Sequence, residues 1–272
     1  MSGFDLHIHS TASDGKLSPT QVVEAAAAKG LLGCALTDHD TLNGVAEAHA
    51  AAERLGITLI AGVELSAEQQ QSDVHILGYW LDERKMRDDK RLAEIAEARR
   101  WRLEKMVERL TLLGMPLSFE RICEQAGGSA SLGRPHIAEE LVACGYCASI
   151  REAFGKWLGR GMPAYVARPK LSPLEAVDMV LRGGGVPVLA HPGLNVPDNL
   201  IPRLVEAGIG GIEVYHPEHD RAAERKYAQL ARRWRLAMTG GSDYHVSGVR
   251  EIGCRITTVT QLGVLAEHRP RA

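Results

Sequence analysis

Two stretches of this chain repeat one pattern, in which a mostly unbroken apolar run ends in polar residues and a helix follows. The runs cover 4–9, 33–37, 57–64, 74–79, 186–191, 210–216 and 236–243. Continuous runs rich in Val, Ile and Leu suit parallel strands covered by helices, because such strands are buried on both faces. The intervening helices carry start signals. Ser18-Pro19 with Gln21 and Ser172-Pro173 with Glu175 each combine an N-cap, a proline at the first helical position and a capping-box partner. Gly30 and Gly56 stand where helices should end. Strand and helix units alternating over this length indicate a barrel-like α/β fold.

The middle breaks the rhythm. From Asp82 to Arg168 only helical periodicity is present, with one long helix expected over 88–113 and shorter ones starting near Ser118, Pro135 and Ser149. The expectation is therefore a barrel domain over 1–85 and 169–272, carrying a helical, lid-like, substrate-binding insert over 86–168. At 272 residues the chain can bury a core without disulfides. A net charge of −2 gives no global case for gripping long nucleic acid, although a local basic patch could hold a small anion. No apolar signal-like region follows Met1, no run approaches membrane-spanning length, and the five cysteines are an odd number. A reducing cytoplasm, no membrane and no required protein partner are expected. The Cys144–Cys147 pair reads as small core residues.

Polar residues gather at the run ends. In Phe4-Asp5-Leu6-His7-Ile8-His9, alternation puts Asp5, His7 and His9 on one face, so the two imidazoles can share a divalent ion. Thr37-Asp38-His39-Asp40, Glu64, His191-Pro192, Tyr215-His216 and Ser242-Asp243-Tyr244-His245 end further runs, where barrel enzymes place their chemistry. His75 opens its run instead of closing it, as it would in an antiparallel strand. Imidazoles and carboxylates without thiolates favour Mn²⁺, Zn²⁺ or Fe²⁺ over a structural zinc site. Three divalent ions against Asp14, Glu64 and Asp243 would leave positive charge for a phosphate dianion, which favours phosphoester over amide hydrolysis.

In this order the HxH pair, Asp14, the TDHD segment, Glu64, the later HP and the final SDxH resemble the polymerase-and-histidinol-phosphatase (PHP) family. The resemblance implies a distorted seven-stranded (β/α)7 barrel and three divalent ions, manganese first, with zinc, iron or magnesium as alternatives. Carried over by motif, His7, His9, Glu64 and Asp243 would hold one ion, Glu64, His75 and His191 a second, and Asp14, His39 and His245 the third. The helical insert after His75 is similar to the branch that acts on nucleoside 3′,5′-bisphosphates and trims short RNA from its 5′ end. Ser131-Leu132-Gly133-Arg134-Pro135-His136 looks like that branch's phosphate clamp, with Ser131, Arg134 and His136 as substrate-binding residues.

An arginine at a helix start offers a phosphate both a bidentate fork and free backbone N–H groups. Arg99, Arg102, Lys105 and Met106 fall on one helical face, making Arg102 and Lys105 further candidates for substrate contact. His191 or Asp40 is the expected proton relay. Asp40, Lys170, His216 and His219 could also orient ligands or meet phosphate, while His49 and His268 carry no expected role. Histidinol-phosphate phosphatase is the nearest rival activity, and a non-catalytic regulatory domain is the rival of another class. An amidohydrolase of another barrel family lacks its bridging lysine or acidic pair here.

Overall fold

The computed structural model describes residues 2–70, 72–127, 131–167, 171–194 and 196–270. Seven strands lie side by side in chain order: β1 (Phe4–Asp5), β2 (Gly33–Leu36), β3 (Thr58–Gln69), β4 (Ser72–Tyr79), β5 (Val186–Leu189), β6 (Gly211–Tyr215) and β7 (Ala237–Gly240). β1, β2 and β3 pair in parallel, as do β5, β6 and β7, and β4 runs antiparallel to both its neighbours. Leu6 N donates to Gly240 O, and Ile8 bridges Tyr244, so the last strand returns to the first and nearly closes the barrel. Closure removes sheet edges that would otherwise expose unpaired backbone.

The reversal of β4 resolves the position of His75. A strand running the other way brings its start to the end of the barrel where the parallel strands finish. Glu64 does not end its strand as the sequence suggests. β3 continues five residues further, to Gln69, because its outer half pairs with β4 from Gly62–Tyr79 through Gln69–Ser72.

Helices α1 (Pro19–Ala28) and α2 (Val45–Leu55) follow the first two strands. Ser18 closes a full capping box with Gln21, and Gly56 ends α2 at φ 68°, where a side chain on Cβ would be strained. Their inner faces pack Val22, Val23, Ala26, Ala48 and Ala51 against Ile8, Cys34 and Leu36. Each fully buried Val or Leu contributes roughly 1.5–3 kcal/mol. Inside the barrel, Leu6, Ile60, Leu77, Val186 and Val188 pack around Tyr79, whose hydroxyl donates to Leu6 O at 2.9 Å.

The chain divides into two compact units, Met1–Asp89 with Lys170–Ala272, and Lys90–Pro169. The short helix α3 (Glu83–Arg87) belongs to the barrel unit, since Met86 is buried and Asp89 pairs with Arg182 at 2.9 Å. The expected long helix therefore starts later, as α4 (Lys90–Leu112), and is followed by α5 (Phe119–Gln125), α6 (Arg134–Ala143) and α7 (Ile150–Ala153). This unit has its own core, including Leu103, Met106, Leu110, Ile122, Ile137 and Leu141.

The barrel unit resumes with α8 (Pro173–Arg182), α9 (Ile201–Ala207), α10 (Arg221–Trp234) and α11 (Val259–Ala266). Ser172 and Glu175 form the expected capping box on α8. The cysteine pair departs from expectation: Cys147 is buried, but Cys144 lies exposed at the end of α6. Among the described residues no helix is long and apolar enough to cross a membrane.

Candidate metal centre

In the segment after β1, Leu6, His7, Ile8 and His9 are all fully buried, Leu6 in the core around Tyr79 and Ile8 in the core under α1 and α2. Asp5 fixes this segment to the last loops, accepting from the backbone N–H groups of His7, Ser242 and Gly253. Burial pushes its carboxyl up to about 6, with the Gly253 and Ser242 N–H groups pulling the other way. Gly241 makes the approach possible, because a Cβ there would lie 2.4 Å from both the backbone N and the Cβ of His7.

Glu64 stands at the centre. Its Oε2 lies 3.3 Å from His7 Nε2, 3.1 Å from His9 Nε2 and 3.2 Å from His39 Nδ1. Its Oε1 lies 2.7 Å from His75 Nδ1 and 2.9 Å from His191 Nε2. Asp243 Oδ1 faces His7 and His9 at 3.4 and 3.3 Å, while its Oδ2 meets His216 Nε2 at 3.2 Å. Asp14 Oδ1 lies 3.4 Å from His245 Nε2 and 3.9 Å from His9 Nδ1. All nine residues expected to ligate metal thus meet at one end of the barrel.

Burial alone would raise the carboxyls of Glu64, Asp14 and Asp243, but the imidazoles around them hold all three well below their usual range. Burial opposes a charge on His245, yet Asp14 and Asp243 lift its pKa to about 10. His39 goes the other way, held well below its ordinary value chiefly by burial.

Crowded as they are, His7 Nε2, both ring nitrogens of His9 and Asp14 Oδ1 are buried with no hydrogen-bond partner among the described residues. Such orphaned lone pairs cost free energy unless something electrophilic sits between them. Among the described residues three groups have ligand atoms mutually within 4.8 Å: His7, His9, Glu64 and Asp243; His9, Asp14, His39 and His245; and His39, Glu64 and His75. The first four, and the second group without His9, coincide with the sets read by motif; in the third, His39 stands where His191 was expected. Nitrogen and oxygen donors without thiolate suit divalent transition ions. Backbone strain concentrates at this end as well. His191, Asp243 and Asp40 take φ of 24°, 48° and 53°, a region costing non-glycine residues roughly 1–3 kcal/mol each. A cavity of about 380 Å³ opens beside Glu64, His75, His191 and Asp243, a size suited to a small ligand.

Several partners escaped the sequence reading. Glu213 places Oε1 3.0 Å from His7 Nδ1 and takes the His191 N–H on Oε2 at 2.8 Å. It is the single charged residue in an otherwise apolar strand, and that was the available signal. Asp38 receives Ser10 N, Ser10 Oγ and Ser13 Oγ, thereby bracing the loop that carries Asp14. Arg250 contacts Asp243 and Glu218. Of the residues read as helpers, His216 reaches Asp243, Asp40 receives Ser66 N at 2.7 Å, and His219 receives Gly193 N while donating to Val214 O. Lys170 lies outside the described residues.

In the helical unit, Arg134 is the first residue of α6 and lies over the Phe154 ring at 5.5 Å, while His136 Nδ1 receives Gly133 N at 3.0 Å. Ser131 is buried. Arg102 and Lys105 do not share a face. Arg102 is buried and donates to Val166 O at 2.7 Å, whereas Lys105 is exposed and pairs with Glu108 at 2.8 Å.

The sequence model of the PHP domain family matches residues 5–118. The chain is 37% identical over 260 residues to a 3′,5′-nucleoside bisphosphate phosphatase of Chromobacterium violaceum, covering 93% of this chain and 91% of that one. It is 36% identical over 261 residues to a phosphoribosyl 1,2-cyclic phosphate 1,2-diphosphodiesterase of Eggerthella lenta, with 93% and 98% covered. To the 5′-3′ exoribonuclease Rnm of Escherichia coli it is 35% identical over 249 residues, with 89% and 85% covered. A crystal structure from Bifidobacterium adolescentis, assigned as a metal-dependent phosphoesterase, superposes with a TM-score of 0.92 at 31% identity, covering 99% of this chain and 97% of the other. Relatives matched over nearly their whole length, on a barrel of this topology, place the chain in the PHP family.

Proposed function

We propose that this chain is a metal-dependent phosphoesterase that removes the 3′-phosphate of nucleoside 3′,5′-bisphosphates and also trims short RNA from its 5′ end. The observation that carries this reading is Glu64, one buried carboxylate with five imidazoles within 3.3 Å. We assign His7, His9, Glu64 and Asp243 to one divalent ion, Glu64, His75 and His191 to a second, and Asp14, His39 and His245 to a third. Manganese is the expected metal, with zinc, iron or magnesium as alternatives. Ions held there would polarise phosphoryl oxygens and acidify a water.

The chain's own residues do the rest. Glu213 fixes the His7 ring through Nδ1 and so directs Nε2 at the centre. His191, one expected proton relay, lines the cavity with Nε2 2.9 Å from Glu64; a ring nitrogen that holds a cation has no proton to give, so we assign it to ligation alone. Asp40, the other expected relay, is buried and engaged with the Ser66 amide, which suits it to holding β3 in place. In the helical unit, Arg134 with Ser131 and His136 is the proposed grip on the substrate's other phosphate. Arg102 and Lys105, tied to Val166 O and Glu108, are left with supporting roles. The odd cysteine count supports a reducing cytoplasm as the compartment.

The similarity to the diphosphodiesterase, close to that of the bisphosphatase, favours a second reading, cleavage of a cyclic phosphodiester. Mn²⁺-loaded protein offered adenosine 3′,5′-bisphosphate, a short 5′-phosphorylated RNA, phosphoribosyl 1,2-cyclic phosphate and histidinol phosphate separates these activities. Preference for the bisphosphate supports the proposal. Turnover confined to the cyclic ester or to histidinol phosphate overturns it.

A further inference from the structure

Arg250 occupies an unusual place in the centre. It lines the same cavity as Glu64, His75, His191 and Asp243, and among the described lining residues it is the one guanidinium, a group that stays charged at ordinary pH. Its side chain is 19% exposed, so the guanidinium is largely withdrawn from bulk water. Nη1 donates to Oδ2 and to the backbone O of Asp243, and Nη2 donates to Oε1 of Glu218. Asp243 is thereby divided between two tasks. Oδ1 turns to His7 and His9, and Oδ2 is occupied by Arg250 and His216.

A guanidinium carries five N–H donors in a rigid plane; among the described residues Nε has no hydrogen-bond partner and Nη2, with two hydrogens, has one. Nε–H with an Nη2–H beside it is the side-on fork by which a guanidinium matches a pair of phosphoryl oxygens. A cation with an open fork, in the wall of a cavity built from imidazoles and carboxylates, is chemically suited to an oxyanion and to little else there. Glu218 and Asp243 compensate the charge when no anion is bound.

We propose that Arg250 is a phosphoryl-binding residue, holding Asp243 by its outer oxygen and receiving the phosphoryl group at the cavity on its free fork. The proposal rests on the phosphoesterase reading of the same site, and inorganic phosphate serves as its probe. Phosphate affinity is measured by calorimetry, and bound metal by elemental analysis, for Mn²⁺-loaded wild type, Arg250→Met and Arg250→Lys. Bound metal is expected to be equal in all three. Phosphate affinity is expected to fall about ten- to a hundredfold in Arg250→Met, the effect of losing charge-assisted hydrogen bonds, and to recover only in part in Arg250→Lys, which restores charge without the fork. An Arg250→Met chain that keeps its metal and binds phosphate as wild type does overturns the proposal. Loss of metal together with phosphate also overturns it, because Arg250 would then act only by positioning Asp243. A wild-type chain that takes up neither Mn²⁺ nor phosphate defeats the reading of the whole site, and this proposal with it.

Discussion

Glu213 Oε1 lies 3.0 Å from Nδ1 of His7, so the other nitrogen of that ring faces Glu64 and Asp243. The same carboxylate takes the His191 N–H, tying β6 to two of the groups assigned to metal binding. A carboxylate behind a ligating imidazole fixes its tautomer and raises its basicity. Replacing Glu213 with Gln keeps the shape but removes the charge, so the variant should fold normally and bind Mn²⁺ about 10–100-fold more weakly. Titration with Mn²⁺ beside a thermal melt checks both halves. Unchanged affinity would reduce Glu213 to a packing residue.

Arg134→Ala should separate the two ends of the substrate. If Arg134 grips the phosphate that is not cleaved, KM for a nucleoside bisphosphate rises far more than KM for an aryl phosphate, which has no second phosphate. Steady-state kinetics on both substrates decides it. Equal losses on the two would remove Arg134 from substrate binding.

The metal-free centre should release protons when it is loaded. His245 is buried, which opposes its charge, but Asp14 and Asp243 lift its pKa from 6.5 to about 10, so near neutral pH it is an imidazolium unable to ligate. Mn²⁺ affinity should therefore rise with pH between about 7 and 10, and calorimetry in two buffers of different ionisation heat should show proton release. Because the folded pKa lies above the ordinary value, the ring's stabilisation of the metal-free chain is complete below about pH 6.5 and is lost as pH climbs through about 10. Flat melting temperatures over that range would contradict this arrangement.

Cysteine reactivity tests the packing of the barrel. Cys34 sits in β2, fully buried, and burial with the nearby Asp5 charge pushes its thiol up to about 12. Cys144 and Cys254 are exposed. A thiol reagent at pH 8 should modify Cys144 and Cys254 in the native chain and reach Cys34 only on unfolding. Mass mapping of the labelled chain shows which occurs, and early labelling of Cys34 would contradict the burial of β2.

Much of the site is legible in the sequence because strand ends in a parallel barrel converge, so His7, His9, His39, His191 and Asp243 share one location by topology alone. Glu213 was not legible as a partner because it is one polar residue inside an apolar strand, and nothing local marks which ring it will meet. The extension of β3 past Glu64 depends on pairing with β4, a relationship between strands that a single run does not announce. Capping signals at Ser18 and Ser172 read correctly since they are complete within four residues. The face shared by Arg102 and Lys105 did not, because α4 turns Arg102 inward with Met106 and leaves Lys105 outside, a choice made by the helical core.

Everything assigned to the centre depends on Glu64 holding cations among its imidazoles. Equilibrium dialysis against Mn²⁺, with wild type and Glu64→Ala side by side, reads this directly. The account predicts about three ions per wild-type chain, one for each group of ligands, and a clear loss in Glu64→Ala at unchanged folding. A wild-type chain that binds no Mn²⁺, or a Glu64→Ala chain that binds as much as wild type, would contradict it.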